Sequence, residues 1–230
     1  MVSLSAVSFA LANLLAGYLT ALACRPPNAD SEKGWGKDTI RPLTSPSFLR
    51  LVQALVFFVS VAHSFVVLGL DSGFISLAQS KYLNPNLFTW TPYTVSCLFA
   101  LVFIGAPLRL AAFGALGPRF TFGLAAPNEL NTSGIYSWIQ HPSYTGLVLV
   151  IVTHQFLHLR WDGALALWIS EATSGKLDGY GLTAFALQYA VTFSLLGVRI
   201  REEEAMLREV FGAKWVDWNK RTRRIIPGLF

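Results

Sequence analysis

The sequence predicts an all-α membrane protein of about five transmembrane helices. Of its 230 residues, 53% are hydrophobic and only 13% are charged, whereas charged residues make up roughly a quarter of a soluble domain. Several apolar runs approach the 20 or so residues that cross about 30 Å of hydrocarbon. The basic residues also gather beside these runs instead of spreading along the chain, which is typical of polytopic membrane proteins.

The five runs occupy residues 2–23, 48–70, 95–116, 144–159 and 181–199. The first run has no basic segment before it and is longer than the apolar part of a signal peptide. We therefore expect it to remain in the protein as a membrane span.

Lysine and arginine residues indicate the orientation of the spans. Most of them fall in the first loop, near the third run and after the last run: Arg25, Lys33, Lys37, Arg41, Arg50, Arg109, Arg119, Arg199, Arg201, Arg208, Lys214, Lys220, Arg221, Arg223 and Arg224. Only Lys81, Arg160 and Lys176 fall on the other side. The positive-inside rule then places the C-terminal end in the cytosol and the N-terminus outside. Because these cations adjoin spans, the net charge of +5 does not indicate nucleic-acid binding.

The loops divide the chain into two parts. Residues 25–47 read as a solvated cytosolic loop, and residues 117–141 contain too many Pro, Gly and Asn residues for a long helix. Residues 70–92 predict a short helix or re-entrant piece at the outer interface. We expect residues 1–115 to form the N-terminal helices with the cytosolic loop, and residues 116–230 to form a functional core.

The cysteine and histidine residues do not form a recognisable metal motif. Cys24 and Cys97 are isolated, and the histidines in or beside apolar runs lack a carboxylate cluster. We expect no metal site.

Two segments beside the last spans could carry chemistry. In the C-terminal stretch, Arg199, Glu203, Leu207 and Trp215 recur at multiples of four and share a helix face if Gly212 does not break the helix. An Arg–Glu pair at this spacing is also an ordinary stabilising contact at a membrane boundary.

The other segment is "GIYSWIQHPSYTG", residues 134–146, at the start of the fourth run. Its proline suits the first turn of a helix and needs no further explanation. Together with the Glu–Arg face, however, its aromatic and polar side chains could line a cytosolic cavity. Such a cavity would suit a ligand with cationic, anionic and aromatic parts, such as S-adenosylmethionine, because carboxylate, guanidinium and aromatic groups can each meet one part.

At these residues the chain resembles the isoprenylcysteine carboxyl methyltransferase family and its phospholipid methyltransferase relatives. The resemblance covers residues 116–227, through "LGPRFTFGL", "NTSGIYSWIQHPSYTG", "RIREEEAMLREVFGAKWVDW" and "RTRRIIP". It implies an all-helical membrane enzyme, usually of the endoplasmic reticulum, whose C-terminal helix closes a pocket for S-adenosylmethionine. The implied acceptor is the carboxylate of a prenylated cysteine, reached among membrane lipids.

The resemblance also implies residue roles. Arg199 would hold the acceptor carboxylate, and Glu204 would support its neighbour Glu203. The residues implied to bind the cofactor are Asn128, Glu129, Leu130, Asn131, Tyr136, His141, Pro142, Ser143, Tyr144 and Glu203.

Three features depart from the family pattern. Gln140 and Ser137 replace arginines that the family usually has, and the interval between His141 and Arg199 contains extra residues at about 160–179. Three alternatives therefore stay open: methylation of a phospholipid amine or another hydrophobic acceptor, a sterol-reductase-like enzyme with a nicotinamide cofactor, and a membrane scaffold without enzymatic activity.

Overall fold

The computed structural model describes residues 1–28, 34–36, 38–76, 81–177 and 179–225. Its regular elements are helices, and within the described residues the only strand-like pairing is an isolated bridge between Ile139 and Arg223. The α-helices are α1 (Leu4–Ala23), α2 (Pro46–Ser72), α3 (Pro92–Phe99), α4 (Ala106–Leu116), α5 (Pro142–His158), α6 (Glu171–Leu177), α7 (Gly181–Phe211) and α8 (Ala213–Arg221). The all-helical fold is confirmed.

Within the described part of the chain, four helical stretches are long and apolar enough to cross a membrane. They are α1, α2, the continuous stretch Pro85–Arg119 that contains α3 and α4, and α7. A π-helical segment, Ala100–Gly105, joins α3 to α4. The fifth expected span corresponds to α5, whose 17 residues lie at the lower limit for a membrane-crossing helix.

Side chains that the sequence supplies at the helix ends fix where the helices begin and end. Ser3 and Ser45 accept hydrogen bonds from backbone N–H groups in the first turns of α1 and α2, which the helix itself leaves unpaired. Gly73 ends α2 with φ of 79°, a conformation that favours glycine.

Close packing of α4 against α5 places the start of α5 in the interior. A Cβ atom added at Gly146 would lie 2.6 Å from the backbone nitrogen of Arg109 and 2.8 Å from the carbonyl oxygen of Gly105. Glycines at such crossings let helix backbones approach in membrane proteins. Any side chain at Gly146 would therefore push the two helices apart.

The N-terminal half of α7, Gly181 to about Leu196, is largely exposed. None of the residues in its most apolar stretch is buried, and Leu182, Leu187 and Val191 are more than half exposed. Its C-terminal half instead packs into a hydrophobic cluster formed by Leu124, Leu130, Tyr136, Met206, Leu207, Trp215 and Trp218. The helix is thus anchored at its C-terminal end, while Phe185 and Tyr189 of its other half contact Phe156 of α5.

The segments between the helices bear on several of the sequence predictions. Gly212 has a φ of 51° and separates α7 from α8, so the C-terminal stretch is broken at this glycine and is not one continuous helix. Residues 117–141 contain only single-turn 3₁₀ helices at Gly117–Arg119 and Gly134–Ser137. Residues 33, 37, 77–80, 178, 226 and 227, which enter several of the expectations, lie outside the described residues.

Candidate active site

A cleft on the expected cytosolic side brings together the two segments singled out in the sequence. It encloses about 100 Å³ between residues 116–131, the start of α5 and the C-terminal half of α7. Nine of the expected site residues line it: Glu129, Leu130, Asn131, Tyr136, His141, Ser143, Tyr144, Arg199 and Glu203.

The other two expected cofactor residues do not line the cleft. Asn128 is exposed, although it adjoins Glu129, which does line the cleft. Pro142 is buried at the first position of α5, where its ring fixes the backbone that presents the next side chains. Asn128 and Pro142 stay predictions, without a contact in the cleft to support them.

Tyr144 links the acidic and basic residues of α7. Its hydroxyl donates a hydrogen bond to Glu203 Oε2 over 2.7 Å and accepts one from Arg199 Nε over 3.3 Å. Glu203 and Arg199 lie one turn apart on α7 and face α5, so the expected shared face is present. The cleft therefore contains a charged pair joined through a phenol, with Glu203 partly exposed.

Arg199 is also held by two groups from distant loops. Its NH2 atom donates to the carbonyl oxygen of Phe122 over 2.6 Å, and its NH1 atom lies 3.0 Å from Asp38 Oδ1. The Arg199 and Asp38 side chains are each 5% exposed, yet these two facing atoms lack the alignment of a hydrogen bond. The buried guanidinium thus has a carboxylate counterion at ion-pair distance.

The carboxylate of Glu204 contacts His141 and fixes the position of its ring. Its Nε2 atom lies 3.4 Å from Glu204 Oε1, while Arg224 contacts both oxygens of the same carboxylate at 2.9 and 3.0 Å. Since Glu204 is buried and does not line the cleft, its position agrees with the expected supporting role. The imidazole ring of His141 stacks on that of Tyr144, with centroids 5.5 Å apart.

The segment after α8 clamps the His-Pro turn. Backbone N–H groups of Gln140 and His141 donate to the carbonyl oxygens of Arg223 and Arg224 over 2.7 and 2.9 Å. Gln140, one of the departures from the family pattern, is 4% exposed and donates through Nε2 to Asn219 Oδ1 over 2.8 Å. The Gln140 amide therefore strengthens the connection between the His-Pro turn and the C-terminal segment. A longer cationic side chain at this position would have no carboxylate facing it.

Tyr136 closes the inner wall of the cleft. Its carbonyl oxygen accepts a hydrogen bond from the indole of Trp218 over 2.7 Å, which ties α8 to the 3₁₀ turn before α5. Burial, together with the nearby charge of Glu203, raises the pKa of the Tyr136 phenol above its ordinary value. The phenol accordingly stays protonated at neutral pH and can donate a hydrogen bond.

A larger cavity, of about 500 Å³, lies on the membrane side of Tyr144. Its walls are mainly aliphatic and aromatic and come from α2, α5 and α7, with a floor from residues 40–48. The cavity and the cytosolic cleft share four residues: Phe120, Thr121, Tyr144 and Arg199. A polar cleft and an apolar cavity therefore meet at the Tyr144–Arg199 contact.

Arg109 lies at this end of the apolar cavity. In the sequence it is one of the basic residues that indicate orientation, but in the structure it is 3% exposed and lies inside the bundle. Its Nε donates to the carbonyl oxygen of Ala23 over 3.2 Å, and its NH1 donates to the carbonyl oxygen and hydroxyl of Ser143. Arg109 therefore adds to the site a cationic group that was not predicted from the sequence.

The buried histidines on α2 and α5 form a separate cluster among the helices. His63 and His158 have ring centroids 5.1 Å apart, those of His154 and His158 are 4.5 Å apart, and Asn13 Oδ1 lies 3.0 Å from His158 Nε2. Among the residues that the structure describes, no group of three or more His, Cys, Asp or Glu side chains could hold a metal ion. The cluster connects α1, α2 and α5.

Comparison with known proteins agrees with this geometry. Residues 98–209 match the model of the isoprenylcysteine carboxyl methyltransferase (ICMT) family. This match confirms the family resemblance. The matched segment contains α4, the cleft-lining loop, α5 and the charged face of α7, and so includes most of the site.

Three relatives give the same family at low identity. The chain is 26% identical over 170 residues to "Protein-S-isoprenylcysteine O-methyltransferase" of Saccharomyces cerevisiae, covering 72% of this chain and 62% of the relative. Proteins of the same name from Mus musculus and Dictyostelium discoideum are 25% and 26% identical over 179 and 160 residues, which cover 70% and 68% of this chain. The chain spans 56% and 58% of the lengths of these two relatives.

Proposed function

We propose that this integral membrane protein transfers a methyl group from S-adenosylmethionine to the carboxylate of a C-terminal prenylated cysteine. The observation that carries the proposal is the junction of the polar cleft and the apolar cavity at Tyr144 and Arg199. A water-soluble donor and a lipid-like acceptor need such a junction. The family match and the names of the relatives give the reaction class.

The cleft residues fit the proposed cofactor, which when bound supplies an electrophilic methyl group. Glu203 offers a partly exposed carboxylate to an ammonium group or a ribose hydroxyl. His141 and Tyr144 offer aromatic faces. The cleft holds about 100 Å³, less than the roughly 300 Å³ at the lower end for ligand sites. We therefore propose that residues 117–131 move outward when the cofactor enters.

The acceptor carboxylate is placed at Arg199. A carboxylate is already ionised at neutral pH, so the protein has no proton to remove and acts mainly by positioning the reacting groups. The planar guanidinium of Arg199 can hold a carboxylate through two hydrogen bonds. The Asp38 carboxylate lies 3.0 Å from this guanidinium, and we propose that the acceptor carboxylate replaces it.

The apolar cavity suits the prenyl chain of the acceptor. It extends from Arg199 along Leu196 and Tyr189 of α7 towards Ile151 of α5 and is bounded by α2, α5 and α7. We propose that the acceptor enters this cavity sideways from the bilayer while the cofactor enters from the cytosol. Excluding water between them strengthens the electrostatic attraction of the reacting groups.

The proposal includes the endoplasmic reticulum membrane as the location and the cytosol as the compartment of the C-terminal end. Residues 116–230 remain the proposed catalytic core. The structure adds to that core two side chains from the N-terminal part, Asp38 and Arg109, which lie against the site.

Ligand binding and turnover test the proposal together. S-Adenosylhomocysteine, and not NADPH, should raise the melting temperature of the detergent-purified protein. The protein should then methylate N-acetyl-S-farnesylcysteine and leave phosphatidylethanolamine unmodified. Stabilisation by NADPH alone would favour a reductase, methylation of the amine alone would favour a phospholipid methyltransferase, and no response to either nucleotide would favour a scaffold.

A further inference from the structure

We infer that Arg109 is a second cationic anchor, which binds the anionic head of the ligand in the apolar cavity. That the head is a carboxylate rests on the proposed function. The inference itself rests on the charges around the cavity, where one buried arginine is paired with carboxylates and the other is not.

Arg199 already has negative charge on two sides. Asp38 Oδ1 lies 3.0 Å from its NH1 atom, and Glu203 reaches it through the hydroxyl of Tyr144. An acceptor that approached Arg199 alone would meet a cation whose charge is largely balanced. Arg199 alone therefore does not account for the binding of an anionic head group.

Arg109, by contrast, is buried among dipoles and aromatic rings. Its hydrogen bonds go to the carbonyl oxygens of Ala23 and Ser143 and to the Ser143 hydroxyl. Its guanidinium carbon lies 4.6 Å from the ring centroid of Phe113 and 5.2 Å from that of Phe122. No Asp or Glu of the described part of the chain forms a salt bridge with it.

An unpaired charge inside a protein is costly, and buried charges are normally paired. Carbonyl oxygens and aromatic faces compensate a guanidinium only in part. The hydrogen bonds of Arg109 use Nε and NH1, which leaves the NH2 group for a further partner. A ligand anion supplies the missing negative charge.

The location of Arg109 indicates which ligand it meets. Arg109 lines the apolar cavity and is absent from the lining of the cytosolic cleft, whereas Tyr144 and Arg199 line both. Its partner is therefore the lipid-like ligand and not the nucleotide. With Arg109 and Arg199 both at the Tyr144 end of the cavity, an anionic head there lies between two guanidinium groups.

A matched pair of ligands isolates the charge of the head group. N-Acetyl-S-farnesylcysteine and its primary carboxamide differ only at the head group, which is anionic in the acid and neutral in the amide, so their affinity ratio for the purified protein reports recognition of the anion. Wild type should prefer the acid by about ten- to a hundredfold, the range for hydrogen bonds between charged groups. Equal affinities for the two ligands in wild type would overturn the inference.

Two variants separate charge from structural support, because Arg109 also joins the end of α1 to the start of α5. Arg109→Gln removes the charge and keeps a hydrogen-bond donor, whereas Arg109→Lys keeps the charge and loses the forked geometry. We expect the preference for the acid to vanish in the Gln variant and to persist within about threefold in the Lys variant. An equal loss in both, with lowered melting temperatures, would make Arg109 a structural link only.

Arg208→Gln is the matched control, since Arg208 is an exposed arginine of α7 outside both pockets, and it should leave the ratio unchanged. Affinity for S-adenosylhomocysteine should be the same in wild type and in both Arg109 variants. A selective loss of that affinity would instead assign Arg109 to the nucleotide. Because the readout is binding, absence of methyl transfer by wild type would reject the proposed function without deciding the role of Arg109.

Discussion

Asp38 and Arg199, far apart in the sequence, form a buried ion pair in which Asp38 Oδ1 lies 3.0 Å from Arg199 NH1. The other oxygen, Oδ2, accepts a hydrogen bond from the backbone N–H of Leu124 over 2.9 Å. The first loop is fastened nearby, where the Trp35 N–H donates to the Leu124 carbonyl and Thr39 donates to Glu202. One carboxylate therefore holds the first loop over the candidate site and balances the charge of Arg199.

Replacing Asp38 with Asn should destabilise the ligand-free protein and increase its response to a carboxylate ligand. Removing one partner of a buried ion pair costs about 3 kcal/mol, so the melting temperature should fall. N-Acetyl-S-farnesylcysteine should then raise the melting temperature more in the variant than in wild type. Asp217→Asn, at an exposed position of α8, is the control. An unchanged melting temperature for Asp38→Asn would mean that the pair is energetically unimportant.

Glu203→Gln should weaken cofactor binding while the fold stays intact. The amide oxygen can still accept the hydrogen bond from Tyr144, so the change removes charge and little else. Loss of a charge-assisted hydrogen bond of about 1.5 to 3 kcal/mol lowers affinity about ten- to a hundredfold. Calorimetry with S-adenosylhomocysteine measures this, with Glu209→Gln at an exposed site of α7 as the control. Unaltered affinity in a monodisperse variant would remove Glu203 from the cofactor site.

Arg199→Lys should abolish most of the turnover and change cofactor affinity little. Lysine keeps the charge, but it cannot hold a carboxylate through the two parallel hydrogen bonds that a guanidinium makes. It also loses the donors to Phe122 and Tyr144. Rate and affinity should be measured on one preparation with N-acetyl-S-farnesylcysteine. If both fall in proportion, Arg199 serves the cofactor and not the acceptor.

Gln140→Arg, which introduces the residue that the family usually has, should destabilise this protein. Gln140 is buried against Asn219 and the carbonyl oxygen of Thr222, so an arginine would bury a charge without a carboxylate beside it. Adding Asn219→Asp should restore much of the melting temperature, because it supplies that carboxylate. A single Gln140→Arg variant as stable as wild type would show that the space between Gln140, Asn219 and Thr222 accommodates the longer side chain.

The C-terminal end and the loop before α5 should be accessible from the same side of the membrane. Single cysteines at Ser133 and Lys220, both exposed, in a background without Cys24 and Cys97, should react with an impermeant maleimide only from the cytosol. Lys220 is preferred to the adjacent Thr222, which is 5% exposed. Labelling of the two positions from opposite sides would contradict the five-span topology.

The fold class and most of the cleft follow from local sequence features. Hydrophobic run length predicts the long helices, because a bilayer imposes it directly. Spacing by four predicts that Arg199 and Glu203 share a face, because both lie on one uninterrupted helix. The glycine at 212 predicts the break after α7, because its φ of 51° disfavours residues with a side chain.

Long-range contacts could not be predicted in this way. Asp38 lies in a polar loop that reads as solvated, and nothing near it in the sequence indicates that it pairs with Arg199. Arg109 resembles a residue at the end of a span, and its burial becomes visible only once Gly146 brings α5 against α4. Contacts of this kind depend on how the helices pack against each other, and hydrophobic periodicity does not determine that packing.

The apolar cavity between α2, α5 and α7, which we propose the acceptor enters from the bilayer, changes the meaning of an acceptor concentration. A cavity that opens towards the bilayer is filled from a two-dimensional solution, so the quantity that sets its occupancy is the mole fraction of acceptor in the lipid. Adding more membrane at constant acceptor therefore dilutes the acceptor and lowers the rate, even when the concentration per litre is unchanged. Michaelis constants for this protein are comparable between preparations only when they are expressed per lipid.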